Sequence, residues 1–197
     1  QWPTTGACVP MALSKRHSDK SPICLKAGLS CQQMKLLIVR HAKAEDQAAG
    51  QSDDDRALTG SGRQTARQLG RALQHLLPRV DQLVASPCVR AYATAKHIAS
   101  AYKHLEVTTL PVLLPGAVPR DVLAWLQEQP RDATIILVGH EPDLSGFAGL
   151  LLSGDTRPMF DFKKAASCLI AFDDRPAAAG GRLEWFVPPR LLRCSGR

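Results

Sequence analysis

Residues 36–41 have the sequence Leu-Leu-Ile-Val-Arg-His, an apolar run that closes on an arginine and a histidine. Such a run predicts a short buried β-strand. Arg40 and His41 then fall at the end of that strand. Because ligands of open α/β folds bind outside the carboxyl ends of the strands, the stretch predicts a binding site at this edge.

Two further segments repeat the arrangement. Residues 134–140 form a second buried-strand run that ends on His140, and Arg90 follows shortly after the apolar run 83–85. A buried phosphoryl group needs fixed cationic donors, and arginine binds two phosphate oxygens at once. The sequence therefore predicts a phosphate pocket with Arg40 and Arg90 as donors and His41 as nucleophile. Like-charge repulsion should lower the pKa of His41 and keep its ring uncharged.

From Met34 onward, strand patterns alternate with helix patterns. We predict strands at 36–39, 83–85, 107–110 and 135–138, a hairpin-like pair at 168–172 and 183–187, and helices that start after Thr59, at Val89, near Val122 and near Pro142. This order predicts an α/β fold, a three-layer α/β/α sandwich around a mostly parallel sheet. The helix after His140 is expected to aim its N-terminal amides at the phosphate.

The chain is expected to hold one domain, at residues 34–189. Residues 1–33 lack apolar periodicity and are predicted to be a disordered extension, and residues 190–197 a basic tail. Met34 directly before the first strand favours a leader sequence over a transit peptide. Whether the extension is native stays open.

Charge and composition exclude several classes of protein. The net charge is +7 over 197 residues, but the extension and the tail after Pro189 each hold +3 and the body between them only +1. Basic ends around a balanced body favour solvated tails over a nucleic-acid-binding surface. No stretch reaches the roughly 18 apolar residues that cross a bilayer, so no membrane partner is expected.

Six cysteines without a Cys-x-x-Cys pair indicate reduced thiols and a cytoplasmic location. Neither Cys88 nor Cys168 has the arginine six positions later that a cysteine-dependent phosphatase loop needs. Cys88 near a helix start is either an activated thiol or a buried inert one.

Other candidate residues are interpreted as having no catalytic or metal-binding role. Residues 53–55, three aspartates, are interpreted as a solvated loop rather than a metal site. No two histidines have metal-ligand spacing, so no zinc site is expected. The remaining histidines have no arginine beside them at a strand end: His17, His75, His97 and His104.

Four motifs then occur in order along the chain. They are Leu-Ile-Val-Arg-His-Ala-Lys-Ala-Glu at 37–45, Leu-Thr-Gly-Ser-Gly-Arg-Gln-Thr-Ala at 58–66, Ser-Pro-Cys-Val-Arg-Ala at 86–91 and Gly-His-Glu-Pro at 139–142. Through these motifs the chain resembles the histidine phosphatase superfamily, which has a phosphoglycerate mutase-like fold, from Met34 to about Pro188. The run at 42–45, the short length and the later Phe162-Lys163-Lys164 resemble the small bacterial phosphohistidine phosphatase branch.

The resemblance implies a two-step mechanism that needs no metal or other cofactor. His41 attacks phosphorus to form a phosphoenzyme, which water hydrolyses, while Arg40, Arg90 and His140 hold the phosphoryl oxygens. Glu141 and Ser86 are expected to orient these residues. For Lys163 and Lys164 two interpretations stay open: an acidic partner's docking point or ordinary surface solvation.

One departure from the larger family members concerns the acid that protonates the leaving group. Residues 110–120 contain no acid; Glu106 and Asp121 flank this stretch and match no family motif. Imidazole, with a reference pKa of about 6.5, leaves without a strong acid, whereas an alkoxide does not. The sequence thus favours a phosphoramidate substrate.

Three functions are carried forward. The first is hydrolysis of phosphohistidine on protein partners such as phosphotransfer or carrier domains. The second is a phosphomonoesterase or mutase for sugar or nucleotide phosphates. The third is a non-catalytic module that binds phosphorylated partners.

Overall fold

The computed structural model describes residues 33–192, which form a six-stranded sheet covered by helices. The strands are β1 (Met34–Arg40), β2 (Gln82–Ala85), β3 (Val107–Thr109), β4 (Thr134–Gly139), β5 (Ser167–Phe172) and β6 (Arg182–Val187). The helices are α1 (Gly60–Leu76), α2 (Val89–Ala99), α3 (Pro119–Gln127), α4 (Asp143–Ser153) and α5 (Pro189–Leu192), with short 3-10 turns at Asp53–Asp55 and Pro111–Leu113.

The strand order across the sheet is β3-β2-β4-β1-β5-β6. Strands β3, β2, β4 and β1 are parallel, β5 is antiparallel to β1, and β6 is antiparallel to β5. The predicted α/β fold with a mostly parallel sheet is confirmed. The hairpin-like pair is also found, because β5 and β6 are neighbours in the sheet.

Side chains of the buried strands alternate between the two faces of the sheet. Leu37 and Val39 pack in one hydrophobic core with residues of α1 and α2. Leu36 and Ile38 pack in a second core with residues of α3 and α4. A strand that is apolar at every position therefore requires helices on both faces, as the sequence pattern predicts.

The loop after β1 is tied at its two ends. Ala44 and Leu58 form an isolated bridge, and the amide of Thr59 donates to the carbonyl of Lys43 over 3.0 Å. The Thr59 hydroxyl caps α1 by accepting from the amide of Gly62 over 2.9 Å. A Cβ on Gly62 would lie 2.0 Å from the Lys43 carbonyl oxygen, so only glycine fits there. The two ends of the loop that carries Asp53–Asp55 are therefore held together by backbone hydrogen bonds.

The structure describes only part of the predicted extension and tail of the domain. The expected extension at 1–33 lies outside the described residues except for Gln33, and residues 193–197 of the expected tail also lie outside them. Residues 190–192 belong to the short helix α5, which contacts α1. Between residues 33 and 192, every helix is too short or too polar to cross a membrane.

We predict that Gly70→Ala destabilises the fold. A Cβ at this position of α1 would lie 2.9 Å from Cα of Ile98 and 3.0 Å from the carbonyl oxygen of His97, both in the backbone of α2. Separating two packed helices costs about 1–3 kcal/mol, which outweighs the gain in helix propensity of roughly 1 kcal/mol. Urea unfolding should show a net loss of stability. Gly60→Ala is the control, because its Cβ meets only Arg63 at 3.8 Å, and equal effects would contradict the prediction.

Candidate active site

Pairing between β1 and β4 brings the two predicted site histidines together. Arg40 is paired with Gly139, and the amide of His41 donates to the Gly139 carbonyl over 3.1 Å. The rings of His41 and His140 lie 5.2 Å apart between centroids, and each residue is only 3% exposed. The structure therefore places both histidines at one edge of the sheet, as the strand-end pattern predicts.

The ring of His41 is held in a defined orientation. Its Nδ1 lies 2.8 Å from the carbonyl oxygen of Ala42, and because a carbonyl only accepts, Nδ1 carries the proton. Thr94 of α2 accepts from the amide of Ala42 over 3.0 Å and donates to the carbonyl of Arg90 over 2.7 Å. The lone pair of His41 is consequently on Nε2.

Burial is the main reason that His41 stays uncharged. Burial first, and then the charges of Lys164, His140 and Arg90, lower its pKa from 6.5 to about 2, against an opposing hydrogen bond to Ala42. The sequence analysis predicts the direction of this shift but attributes it to like charges. Desolvation outweighs them, because His41 is almost completely buried.

His140 is oriented by a serine from the neighbouring strand end. Its Nε2 lies 2.8 Å from Oγ of Ser86, which follows β2. Burial, followed by the charge of Arg90, lowers the pKa of His140 to about 4. The orienting position expected for Ser86 agrees with this contact.

Arg90 lies in the first turn of α2 and binds the loop that follows β1. Its Nη1 donates to the backbone carbonyl of Asp53, and its Nη2 lies 2.8 Å from the Asp53 carboxylate. The same carboxylate accepts from Arg56 over 2.8 Å. Desolvation opposes the shift, but Arg56 and Arg90 together lower the pKa of Asp53. Residues 53–55 are exposed, as their interpretation as a solvated loop predicts, but Asp53 also binds two arginines, which that interpretation did not include.

Asp54, the next residue, binds the thiol of Cys88. The Cys88 thiol donates to the Asp54 carboxylate over 3.0 Å. Burial first, and then this hydrogen bond, raise the pKa of Cys88. An activated thiolate needs the opposite shift, so the inert alternative holds for Cys88.

Arg40, the last residue of β1, is held by a network around Glu141. Its Nη1 donates to the carbonyl of Phe162, whose own amide donates to the Glu141 carboxylate over 3.2 Å. The hydroxyl of Ser145 lies 2.7 Å from both Glu141 carboxylate oxygens. Burial raises the pKa of Glu141, while Ser145 and Arg40 oppose the rise. Glu141 thus fixes the segment that positions Arg40, as the orienting role expected for it requires.

The beginning of α4 contributes fewer free amides than expected. The amide of Leu144 donates to the carbonyl of His140 over 3.0 Å, and Pro142 has no amide hydrogen. The positive charge of the site therefore comes mainly from side chains.

Lys164 lies at the site, which neither of the two interpretations of the lysine pair predicted. Its Nζ lies 3.3 Å from Nε2 of His41, although the residue as a whole is exposed. Its neighbour Lys163 pairs with Asp161 instead. Of the other histidines, His104 lies 3.3 Å from the carbonyl of Val80, away from the site, and His17 lies outside the described residues.

Three buried nitrogens of the site have no hydrogen-bond partner within the described part of the chain: Nε of Arg40, Nε of Arg90 and Nδ1 of His140. Buried polar atoms of this kind are normally satisfied, and a tetrahedral oxyanion would accept from both arginine nitrogens. Residues 33–192 contain no cluster of three or more metal-ligating side chains. The arrangement is therefore suited to binding a phosphoryl group beside Nε2 of His41.

Comparison with known proteins agrees with this geometry. The family model for the histidine phosphatase superfamily (branch 1) matches residues 36–114. An uncharacterized protein from Picosynechococcus is 36% identical over 138 residues, which cover 67% of this chain and 81% of that relative. The chain belongs to the histidine phosphatase superfamily.

Two relatives place this histidine phosphatase in the SixA-like branch. Phosphohistidine phosphatase SixA from Escherichia coli is 27% identical over 163 residues, which cover 81% of this chain and 97% of SixA. A solved structure of the protein histidine phosphatase SixA with tungstate superposes with a TM-score of 0.71 at 26% identity, over 81% of this chain and 99% of that one. The chain is accordingly a phosphatase with the phosphoglycerate mutase-like fold.

The buried neutral state of His41 predicts a pH-dependent stability. Because its pKa is lowered from 6.5, the unfolded state binds more protons at acid pH, and stability is lost as the pH falls below 6.5. His41→Asn should reduce the slope of unfolding free energy against pH in this range by up to about 1.4 kcal/mol per pH unit. Urea unfolding at a series of pH values measures the slope. The exposed His75→Asn is the control, and an unchanged slope in His41→Asn would contradict the prediction.

The contact between Asp53 and Arg90 predicts competition with phosphate. Asp53→Asn removes the carboxylate 2.8 Å from Nη2 but keeps the backbone carbonyl that also binds Arg90. Inorganic phosphate should then inhibit more strongly, by about tenfold, which corresponds to one charge-assisted hydrogen bond. Inhibition constants measured for Asp53→Asn and for the exposed Asp55→Asn decide the point. Weaker inhibition in Asp53→Asn would show that the carboxylate positions Arg90 rather than competing.

Proposed function

We propose that this histidine phosphatase hydrolyses phosphohistidine on a protein substrate through a covalent intermediate on His41. The observation that carries the proposal is the state of His41: Nδ1 is bound to the Ala42 carbonyl, the ring is neutral, and Nε2 is the nitrogen with the lone pair. A neutral imidazole next to fixed cations is a nucleophile matched to phosphorus.

In the first step, Nε2 of His41 attacks phosphorus in line as the bond to the leaving nitrogen breaks. The electron pair of that bond passes to the leaving imidazole, which is protonated from solvent. Arg40, Arg90 and His140 bind the phosphoryl oxygens and stabilise the charge that spreads over them. In the second step, water attacks phosphorus, the bond to Nε2 breaks and inorganic phosphate leaves.

The carboxylates around the site support a leaving group that needs little acid assistance. Asp53 is bound by Arg90 and Arg56, Asp54 accepts from Cys88, and Glu141 accepts from the amide of Phe162. Each of these carboxylates is held as a hydrogen-bond acceptor. Imidazole, unlike an alkoxide, leaves readily under these conditions, which favours a phosphoramidate over a sugar or nucleotide phosphate.

The test compares substrates and locates the phosphoenzyme. Turnover of a phosphohistidine-containing carrier or phosphotransfer domain is measured beside a panel of alkyl phosphates. Rapid quench and mass spectrometry then identify the phosphorylated residue. We expect a clear preference for the phosphohistidine protein and phosphate on His41. His41→Ala should lower kcat by about 10⁴-fold or more, since the covalent step is lost.

His75→Ala, an exposed histidine on α1, is the matched control and should keep the wild-type rate. A preference for alkyl phosphates would support the phosphomonoesterase or mutase alternative instead. Absence of turnover on both classes would leave a binding module for phosphorylated partners. Phosphate on an aspartate or cysteine would overturn the mechanism.

A further inference from the structure

Lys164 reaches the site because β5 runs antiparallel to β1. Ser167 is paired with Val39, so the residues just before β5 lie beside the end of β1. The amide of Ala165 lies 3.1 Å from the carbonyl oxygen of Arg40 and 3.2 Å from that of His41. The backbone next to Lys164 is therefore anchored directly to the two residues that end β1.

The conformation of this anchor is unusual. Ala165 has a φ of 62°, in the left-handed region that non-glycine residues seldom adopt, and it is fully buried. Such strain persists where the surrounding structure over-determines it, and it is concentrated at functional sites. The two carbonyls that share the Ala165 amide supply that constraint. The turn thereby delivers the side chain of the preceding residue, Lys164, to His41.

The ammonium group of Lys164 meets the atom that attacks phosphorus in the proposed function. Its Nζ lies 3.3 Å from Nε2 of His41, and because Nδ1 carries the ring proton, the ammonium is the donor. A phosphoryl group bonded to Nε2 would place its oxygens where the ammonium now points. The donor would then pass from the nitrogen to one of those oxygens.

We infer that Lys164 is a fourth phosphoryl-binding residue beside Arg40, Arg90 and His140. Its ammonium group donates to a nonbridging phosphoryl oxygen in the transition state and in the phosphoenzyme. The inference rests on the proposed function, since it takes Nε2 of His41 as the attacking atom. Lys164 lies on the nucleophile's side of phosphorus, so it stabilises phosphoryl charge and does not protonate the leaving group.

The charges around Lys164 are consistent with an anion site. Desolvation first, and then Arg40, Arg56 and Arg90, lower its pKa to about 8, while Asp53 opposes the shift. Bound oxyanion would relieve the repulsion among these cations and favour the ammonium form. Below the lowered pKa the ammonium donates, and above it the donor charge is lost. His41 faces the same ammonium as a neutral ring and does not titrate in this range.

The experiment measures tungstate binding by calorimetry with Lys164→Met, Lys164→Arg and Lys163→Met. Lys163 is the matched control, because it is adjacent, exposed and paired with Asp161 rather than with the site. Lys164→Met should weaken tungstate binding by about tenfold or more and lower kcat by about 10²–10³-fold. Lys164→Arg should recover most of the binding, and Lys163→Met should stay within about twofold of wild type.

The pH dependence separates a phosphoryl-binding role from a purely structural one. Tungstate affinity of the wild type should fall as the pH rises through about 8. Lys164→Arg should stay flat through that range because arginine keeps its charge, and Lys164→Met should be flat and weak. Wild-type affinity and kcat in Lys164→Met would overturn the inference, as would the same pH dependence in all variants.

The two proposals fail in different ways. Phosphate trapped on His41 together with normal tungstate binding in Lys164→Met would remove only the role of Lys164. Phosphate on another residue, while tungstate binding still depends on Lys164, would remove the proposed mechanism and leave an oxyanion site that includes this lysine.

Discussion

The parallel pairing of β1 with β4 is the constraint on which the site depends. It fixes Arg40 opposite Gly139 and ties the amide of His41 to the Gly139 carbonyl, so the two histidines that follow these strands share one edge of the sheet. Both strands are buried on their two faces, and a shift of the register by one residue would move each apolar side chain to the core on the opposite face. Hydrophobic packing thereby sets the register, and the register sets the distance between His41 and His140.

The site concentrates positive charge in a place where charge is costly, and the structure offsets this in two ways. His41 and His140 stay neutral because burial lowers their pKa values to about 2 and about 4. The two arginines are held by acceptors of the protein: Arg90 by Asp53 and Arg40 by the carbonyl of Phe162. In the proposed function, phosphoryl oxygens of the substrate replace some of these acceptors.

Most of the fold could be predicted from the sequence because its signals are local. Thr59 caps α1 as expected and the apolar runs become strands. Apart from the short helix α5, the differences lie at element ends, such as β3 ending at Thr109 rather than at residue 110. The positions of the four predicted site residues follow from the same logic. Arg40 ends β1, His41 and His140 directly follow parallel strands, and Arg90 begins the helix after the parallel strand β2. Strand ends of a parallel sheet meet at one edge whatever the order of the strands. A site of this kind can therefore be predicted from the sequence alone.

Asp53 and Lys164 have no such local signal. Asp53 reaches Arg90 across a loop of irregular backbone, and Lys164 reaches His41 because β5 turns out to be antiparallel and adjacent to β1. The amino-acid sequence by itself determined the α/β fold, the strand ends and the residue types that gather there, since hydrophobic periodicity encodes them. Only the tertiary structure decided which acidic and basic side chains complete the site and that burial, more than charge, keeps His41 neutral. Those outcomes depend on strand neighbours and on solvent exclusion, and both arise from contacts between residues far apart in the chain.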